Sequence, residues 1–322
     1  MIDFLLIGDD FPVAQTLQAL LNDDRARVAA VYSSYQRGFD ARLRTIAQGN
    51  NIPLFNSNLL KSPAGLDEIA KVAFDWIINI NSTVILPPDI LGLARAAAIN
   101  MHPGRLPDYA GLHTHQWALR NGEKTFAVTV HFMEAGVDIG DIILQREFDI
   151  SPEDTGLTLY HKCMREGIRG LSQVLQLILS GRELPRISQD LSRYRLFRHN
   201  DALDGRIDWS KSTAEIERFI RAGNYAPLTS PTYTAFLDMV VRSGEEERPQ
   251  VLSAEPVDLL DDTLQPGTVL HWRPDAAVVI ACGDGRGLRL NQVCWPSDRQ
   301  FLTLDQLLVL LPHGSRQKGR GV

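Results

Sequence analysis

Two polar residues two positions apart, Asn100 and His102, close an apolar run in AINMHPGRLP, residues 98–107. On a strand, positions i and i+2 face the same way. An amide and an imidazole would therefore stand together where a strand gives way to a proline-punctuated loop. A third polar residue, Asp138, follows 38 residues after Asn100 within GVDIGD. Its flanking Gly136 and Gly140 let the backbone turn tightly and come close to a ligand. The set is chemically usable. The amide can donate to a developing oxyanion, and the imidazole can take or return a proton near neutral pH. The carboxylate can orient the imidazole and stabilise its charged form. No serine or cysteine sits in a nucleophile-elbow context, so the set suits direct transfer of a carbonyl group to an amine. The same residues also fit a turn asparagine, a satisfied histidine and a hairpin-loop aspartate, and residue types alone leave both readings open.

The elements that must position these groups alternate between strand and helix. DFLLIG, RVAAVYS, IPLF, DWIINI and AAINMH read as short buried strands. Between them, FPVAQTLQALLNDD, FDARLRTIAQGNN, GLDEIAKVAF and PDILGLA have helical spacing, with Val13, Leu17, Leu20 and Leu21 on one face of the first. This alternation predicts an α/β fold, a Rossmann-like and mostly parallel sheet with helices on both faces. Ligands of such sheets bind beyond the carboxyl ends of the strands, where Asn100 and His102 lie. LHTHQWALRNGEK then reads as a helix, FAVTVHFM and DIILQREFDI as paired strands joined by EAGVDIGD, and residues 155–181 as a long amphipathic helix.

The expected domains are 1–182 for the catalytic part, a polar linker at 183–204, a small C-terminal β-barrel of OB-like type at 205–312, and a disordered basic tail at 313–322. The second domain opens on RIDWSKSTAEIERFIRAG, with Ser210 or Ser212 as helix cap. TYTAFLDMVVRS, GTVLHW, AAVVIACGDG and LRLNQVCW follow as short strands between Gly, Pro and Asp turns.

Composition narrows the function classes. The 322 residues are 44% hydrophobic, enough for two cores, and the net charge of −6 argues weakly against a nucleic-acid binder. Cys163, Cys282 and Cys294 are too scattered for a disulfide framework, and no CxxC pair suggests zinc. The apolar N-terminal run is five residues long, without a basic flank, and no stretch approaches membrane-spanning length. A cytoplasmic protein without a membrane partner is expected; oligomeric state is not readable.

Residues 99–145 resemble the core of the formyltransferases that use 10-formyltetrahydrofolate. The shared pattern is Asn-x-His-Pro, a Leu-Pro loop, an aromatic-x-Gly, a Val-Thr-x-His strand and Asp-x-Gly-Asp, in order over 47 residues. The resemblance implies that Asn100, His102 and Asp138 form the catalytic triad. It implies that formyl-folate is the co-substrate, held against Val84, Ile85 and Leu86, against Gly104, Arg105, Leu106 and Pro107, and against the loop from Val137 to Asp141, with no metal. GRIDWSKSTAEIERFIRA, PGTVLHW and VVIACGDGRGLRL resemble the C-terminal barrel of methionyl-tRNA formyltransferases. A fold that keeps folate binding without turnover is the non-enzyme alternative, and the intact triad speaks against it.

Four classes of amine acceptor occur among the enzymes this sequence resembles. The glycinamide ribonucleotide enzymes share GLHTHQ but have a Gly/Ser-rich phosphate loop where this chain has GDDFP, and Asp9 and Asp10 would repel a phosphate. The tRNA enzymes carry a Lys/Arg-rich loop after the second strand. Here YSSYQRGFDARLRTIA has Arg37, Arg42 and Arg44 but no lysine and no long insertion. The expected acceptor is therefore a small or carrier-bound amine of secondary metabolism, such as hydroxyornithine or an aminoacyl group of a peptide synthetase. Nucleotide-linked amino sugars and then methionyl-tRNA are the alternatives. Arg105 reads equally as an acceptor contact and as an exposed loop arginine, and Trp117 reads as a packed helix aromatic rather than an acceptor platform.

Overall fold

The opening run DFLLIG becomes strand β1 (Ile2–Gly8), in which Phe4, Leu5, Leu6 and Ile7 are all fully buried. A continuous apolar run is what a central parallel strand covered on both sides requires. The computed structural model describes residues 1–34, 40–198, 204–238, 240–242, 245–259, 263–272 and 277–311. After β1 come α1 (Asp10–Leu21), β2 (Ala26–Ser33), α2 (Asp40–Gly49), β3 (Leu54–Asn56), α3 (Pro63–Ile69), β4 (Trp76–Ile80), α4 (Pro88–Leu91) and β5 (Ala97–His102). Val13, Leu17 and Leu20 of α1 are buried as their spacing predicts, whereas Leu21 is half-buried. The chain continues through β6 (Ala110–Gly111), α5 (Thr114–Asn121), β7 (Thr125–Phe132), β8 (Ile142–Asp149), α6 (Gly156–Leu179) and β9 (Leu196–Phe197).

The first compact unit comprises residues 1–114, 125–149 and 160–198. Its sheet has seven strands in the order β3-β2-β1-β4-β5-β7-β8. The first five are parallel, β7 runs antiparallel to β5, and β8 antiparallel to β7. The fold is thus the mostly parallel Rossmann-like sheet that the alternation predicts, with an antiparallel pair at one side. The stretch read as a polar linker is tied to this unit as far as Arg198. Ile187 bridges Ile142, and β9 pairs with β6. Its polarity hid these pairings because each is only one or two residues long.

The second unit comprises residues 115–124, 150–159 and 199–322. It contains α7 (Thr213–Gly223), β10 (Val240–Arg242), β11 (Glu245–Glu247), β12 (Gln250–Val257), β13 (Val269–Trp272), β14 (Ala277–Ala281), β15 (Gly287–Cys294) and α8 (Leu304–Leu310). Ser212 rather than Ser210 caps α7, in a reciprocal capping box with Glu215. The antiparallel sheet has four strands, β12-β15-β14-β13, and Ile216 and Ile220 of α7 share its core with Val251, Ile280, Leu288 and Val293. TYTAFLDMVVRS is not one strand. Tyr233, Ala235 and Leu237 alternate inward, but among the described residues before the short β10 only Phe236 bridges, to Arg206 and Gln250. The expected tail at 313–322 lies outside the described residues. Among the described residues no helix is long and apolar enough to cross a membrane.

Candidate active site

Register brings the polar residues together. In the parallel pair β4–β5, Asn79 lies opposite Asn100; in the antiparallel pair β5–β7, Asn100 lies opposite His131 and His102 opposite Thr129. Residues directly opposite each other share a face. A polar row, Asn79–Asn100–His131, therefore crosses three adjacent strands, with His102 and Thr129 as a second polar pair across β5 and β7. Asn79, Asn100, His102, Thr129 and His131 are all buried.

Asp138 reaches this row from the loop between β7 and β8. Its backbone is left-handed, with φ 54°, a conformation an aspartate tolerates better than most side chains. The loop is held at several points. Gln189 Nε2 donates to the carbonyls of Asp138 and Gly140 at 2.8 and 2.7 Å, and the Tyr194 hydroxyl donates to the Val137 carbonyl at 2.8 Å. Gly140 cannot be replaced without movement, because a Cβ there would lie 2.0 Å from the Phe132 carbonyl oxygen.

The carboxylate is shared between two histidines. Asp138 Oδ2 lies 3.5 Å from His102 Nδ1 and accepts from the Gly111 amide at 2.8 Å. Asp138 Oδ1 lies 3.4 Å from His131 Nε2 and accepts from Asn100 Nδ2 at 3.3 Å. Asn79 Nδ2 donates to Asn100 Oδ1 at 3.0 Å. That contact fixes the Asn100 amide, since a flipped amide would turn its oxygen towards the carboxylate.

Backbone carbonyls set the imidazole tautomers. His102 Nε2 is 2.7 Å from the Tyr109 carbonyl and His131 Nδ1 is 2.7 Å from the Phe132 carbonyl. A carbonyl only accepts, so these nitrogens carry the protons. Burial pulls His102 below the ordinary imidazole range, outweighing the opposing pulls of the Asp138 charge and the Tyr109 carbonyl. The ring is thus neutral at pH 7, with its lone pair on Nδ1. Burial pushes the Asp138 carboxyl up, but its interactions with the His102 and His131 rings and the Gly111 amide more than compensate, and it stays well below the usual carboxylate range. The site pairs an ionised carboxylate with a neutral base that gains a counter-charge on taking a proton.

The residues expected to line a folate behave differently from one another. Gly104 lies against the site: a Cβ on it would fall 2.2 Å from His102 Nε2 and 2.3 Å from the Tyr109 carbonyl oxygen. Thr129 Oγ1 donates to the Gly104 carbonyl at 2.7 Å, and Gln145 Nε2 donates to the Leu106 carbonyl at 3.0 Å. Together they hold the loop through the buried Leu106 and the cis bond to Pro107. The Arg105 guanidinium lies over the Tyr109 ring, 5.6 Å from its centroid. Val84 and Leu86 are core residues, whereas Ile85 between them is 71% exposed. The Asp141 side chain faces Arg186 and Ser188, not the triad. At the end of β1, Asp9 accepts from the Ser33 hydroxyl at 2.9 Å and from the Ser34 amide at 2.6 Å. In the other unit, half-buried Trp117 carries the Arg120 guanidinium 4.1 Å over its ring. Among the described residues no cluster of three or more His, Cys, Asp or Glu could hold a metal ion.

Sequence reasoning held His131, Gly111 and Tyr109 only as members of the shared pattern, with no role given to them, and did not single out Asn79. His131 had a signal: it lies two positions after Thr129 in VTVHF, the i and i+2 spacing that singles out Asn100 and His102. Asn79 needed the register, and Gly111 and Tyr109 act through their backbones.

Comparison with known proteins is consistent along the chain. The family model described as formyl transferase matches residues 5–175, and that described as formyl transferase, C-terminal domain, matches 201–303. A methionyl-tRNA formyltransferase of Pseudomonas entomophila is 30% identical over 300 residues, 91% of each chain. That of Stutzerimonas stutzeri is 29% identical over 294 residues, 89% of this chain and 88% of its own. In fold, the chain is similar to WlaRD, a sugar 3N-formyl transferase solved in the presence of dTDP and 5-N-formyl-THF. The TM-score is 0.67 at 19% identity, over 92% of this chain and 99% of that one.

Proposed function

Because the chain belongs to the formyltransferase family, we propose that it moves the formyl group of 10-formyltetrahydrofolate onto the amine of a small or carrier-bound acceptor, with Asn100, His102 and Asp138 as the catalytic residues. The donor suits the residues present. Exposed Ile85 borders a cavity of about 430 Å³ lined also by Leu60, Leu66, Pro87 and Ile90, with Lys61 among its walls. An apolar cleft of that size with one cation fits a ring system carrying an acidic tail.

When bound, the donor supplies an activated formyl carbonyl. The rest falls to the chain. Asn100 Nδ2 donates to the oxygen that gains charge as the amine attacks. His102 Nδ1 accepts the amine proton, while its Nε2 stays on the Tyr109 carbonyl, and gives that proton to the folate nitrogen that leaves as its bond to the formyl carbon breaks. Asp138 Oδ2, 3.5 Å from that Nδ1, stabilises the imidazolium. The Gly111 amide keeps the carboxylate aimed.

The choice of acceptor rests on the connection between β2 and α2. It is six residues long, 34–39, with Arg37 as its single cation. Gripping a tRNA acceptor stem takes several phosphate contacts. Arg37 itself lies outside the described residues. The Asp9 carboxylate beside Ser33 adds negative charge at the end of β1. The names of the curated relatives favour a second reading, methionyl-tRNA.

An acceptor panel decides between them. Release of tetrahydrofolate is followed with hydroxyornithine, an aminoacylated peptide carrier domain, a dTDP-linked amino sugar and initiator methionyl-tRNA. Turnover with one of the first two is expected. Turnover only with the charged tRNA or only with the amino sugar would overturn the acceptor assignment.

A further inference from the structure

The stretch from Gln189 to Phe197 touches both loops of the site. On one side it meets the β7–β8 loop. Gln189 Nε2 donates to the carbonyls of Asp138 and Gly140 at 2.8 and 2.7 Å, and the Tyr194 hydroxyl donates to that of Val137 at 2.8 Å. On the other side it meets residues 107–112. The Arg195 amide donates to the Pro107 carbonyl at 3.2 Å, the Ala110 amide to the Arg195 carbonyl at 3.0 Å and the Leu112 amide to the Phe197 carbonyl at 2.8 Å. The Tyr109 ring stacks on that of Phe197, with centroids 5.4 Å apart, and the Arg193 guanidinium donates to both carboxylate oxygens of Asp108. These same residues offer the Tyr109 carbonyl to His102 and the Gly111 amide to Asp138. One segment thus spans from the anchor of the base to the backbone of its carboxylate partner.

The β7–β8 loop needs such a hold. Its flanking backbone bonds, from the Met133 amide to the Ala98 carbonyl and from the Phe132 amide to the Asp141 carbonyl, stop short of residues 137–140. Within that span Asp138 is left-handed, with φ 54°, a backbone state that persists where its surroundings fix it. The Gln189 amide has one usable orientation. Flipped, it would set its oxygen against two carbonyls, which only accept.

We propose that Gln189, with Tyr194, is a positioning residue for the reaction: by holding the carbonyls of Val137, Asp138 and Gly140 it keeps the Asp138 carboxylate between His102 and His131. The inference rests on the catalytic reading of Asn100, His102 and Asp138. Both side chains act through the backbone of the loop, so their effect on the base passes through Asp138. The titratable groups that face His102 are Asp138 and His131. A loop that loses its hold lets the carboxylate drift from the base, and the base then gains a proton less readily.

Gln189→Met keeps the shape of the side chain and removes the donor. At saturating donor and acceptor it is expected to lower kcat about tenfold or more. The acid limb of its rate profile should move to lower pH, the direction expected of Asp138→Asn. In an Asp138→Ala background the same substitution should cost less than about twofold, because nothing remains to be positioned. Wild-type kcat with an unmoved acid limb in Gln189→Met, or a loss of equal size with and without the Asp138 carboxylate, would overturn the proposal. Tyr194→Phe, which removes one oxygen, gives the same readings if Gln189→Met does not fold. Failure of the catalytic reading looks different. Asp138→Ala alone would then transfer formyl at the wild-type rate.

Discussion

His102 Nδ1 and Asp138 Oδ2 stand 3.5 Å apart, with the other nitrogen of His102 held by the Tyr109 carbonyl at 2.7 Å. The base is thus oriented by its backbone contact and tuned by the carboxylate. Burial lowers the affinity of His102 for a proton, and Asp138 partly restores it. With His102 as the proposed base its active form is the neutral one, so kcat/KM should fall as pH drops through a value below the ordinary imidazole range of about 6.5. Asp138→Asn removes the restoring charge. Its acid limb should move to still lower pH, and kcat should fall about 10²–10⁴-fold. Rate–pH profiles of the two proteins check both effects.

Gly104 is the tightest point of the loop. A Cβ there meets His102 Nε2 and the Tyr109 carbonyl oxygen, the two atoms whose hydrogen bond fixes the tautomer of the base. Gly104→Ala should part them, costing about 1–3 kcal/mol of stability and most of the activity. Urea unfolding together with kcat measurement tests this; a stable, fully active variant would mean the tautomer is set elsewhere.

Ile85 is 71% exposed on the border of the cavity beside α3 and α4. If the donor packs there, Ile85→Asp should raise its KM about tenfold or more, an apolar contact of roughly 1.4 kcal/mol, and leave kcat near the wild-type value. Titration with the formyl donor at saturating acceptor separates the two.

Most of the sheet was legible because its strands are covered on both sides and read as uninterrupted apolar runs. DWIINI and AAINMH needed no tertiary knowledge. What the residues could not supply was register. Asn79 reads as one polar position in an apolar strand until β4 is set against β5. Gln189 and Tyr194 fall in a polar stretch that looks like a linker, yet their side chains hold the Asp138 loop by its backbone carbonyls. Contacts to a backbone leave little trace in the residue types of the segment that accepts them. The TYTAFLDMVVRS stretch misled for the opposite reason, since its alternation is real and its strand pairing is not continuous.

The most direct measurement is the single-turnover rate of formyl transfer by Asn100→Ala, with donor affinity measured on the same protein. An oxyanion donor accounts for about 10²–10³ in rate. A loss of that size with donor binding retained is the expected result; a wild-type rate in Asn100→Ala would contradict the assignment of the catalytic residues.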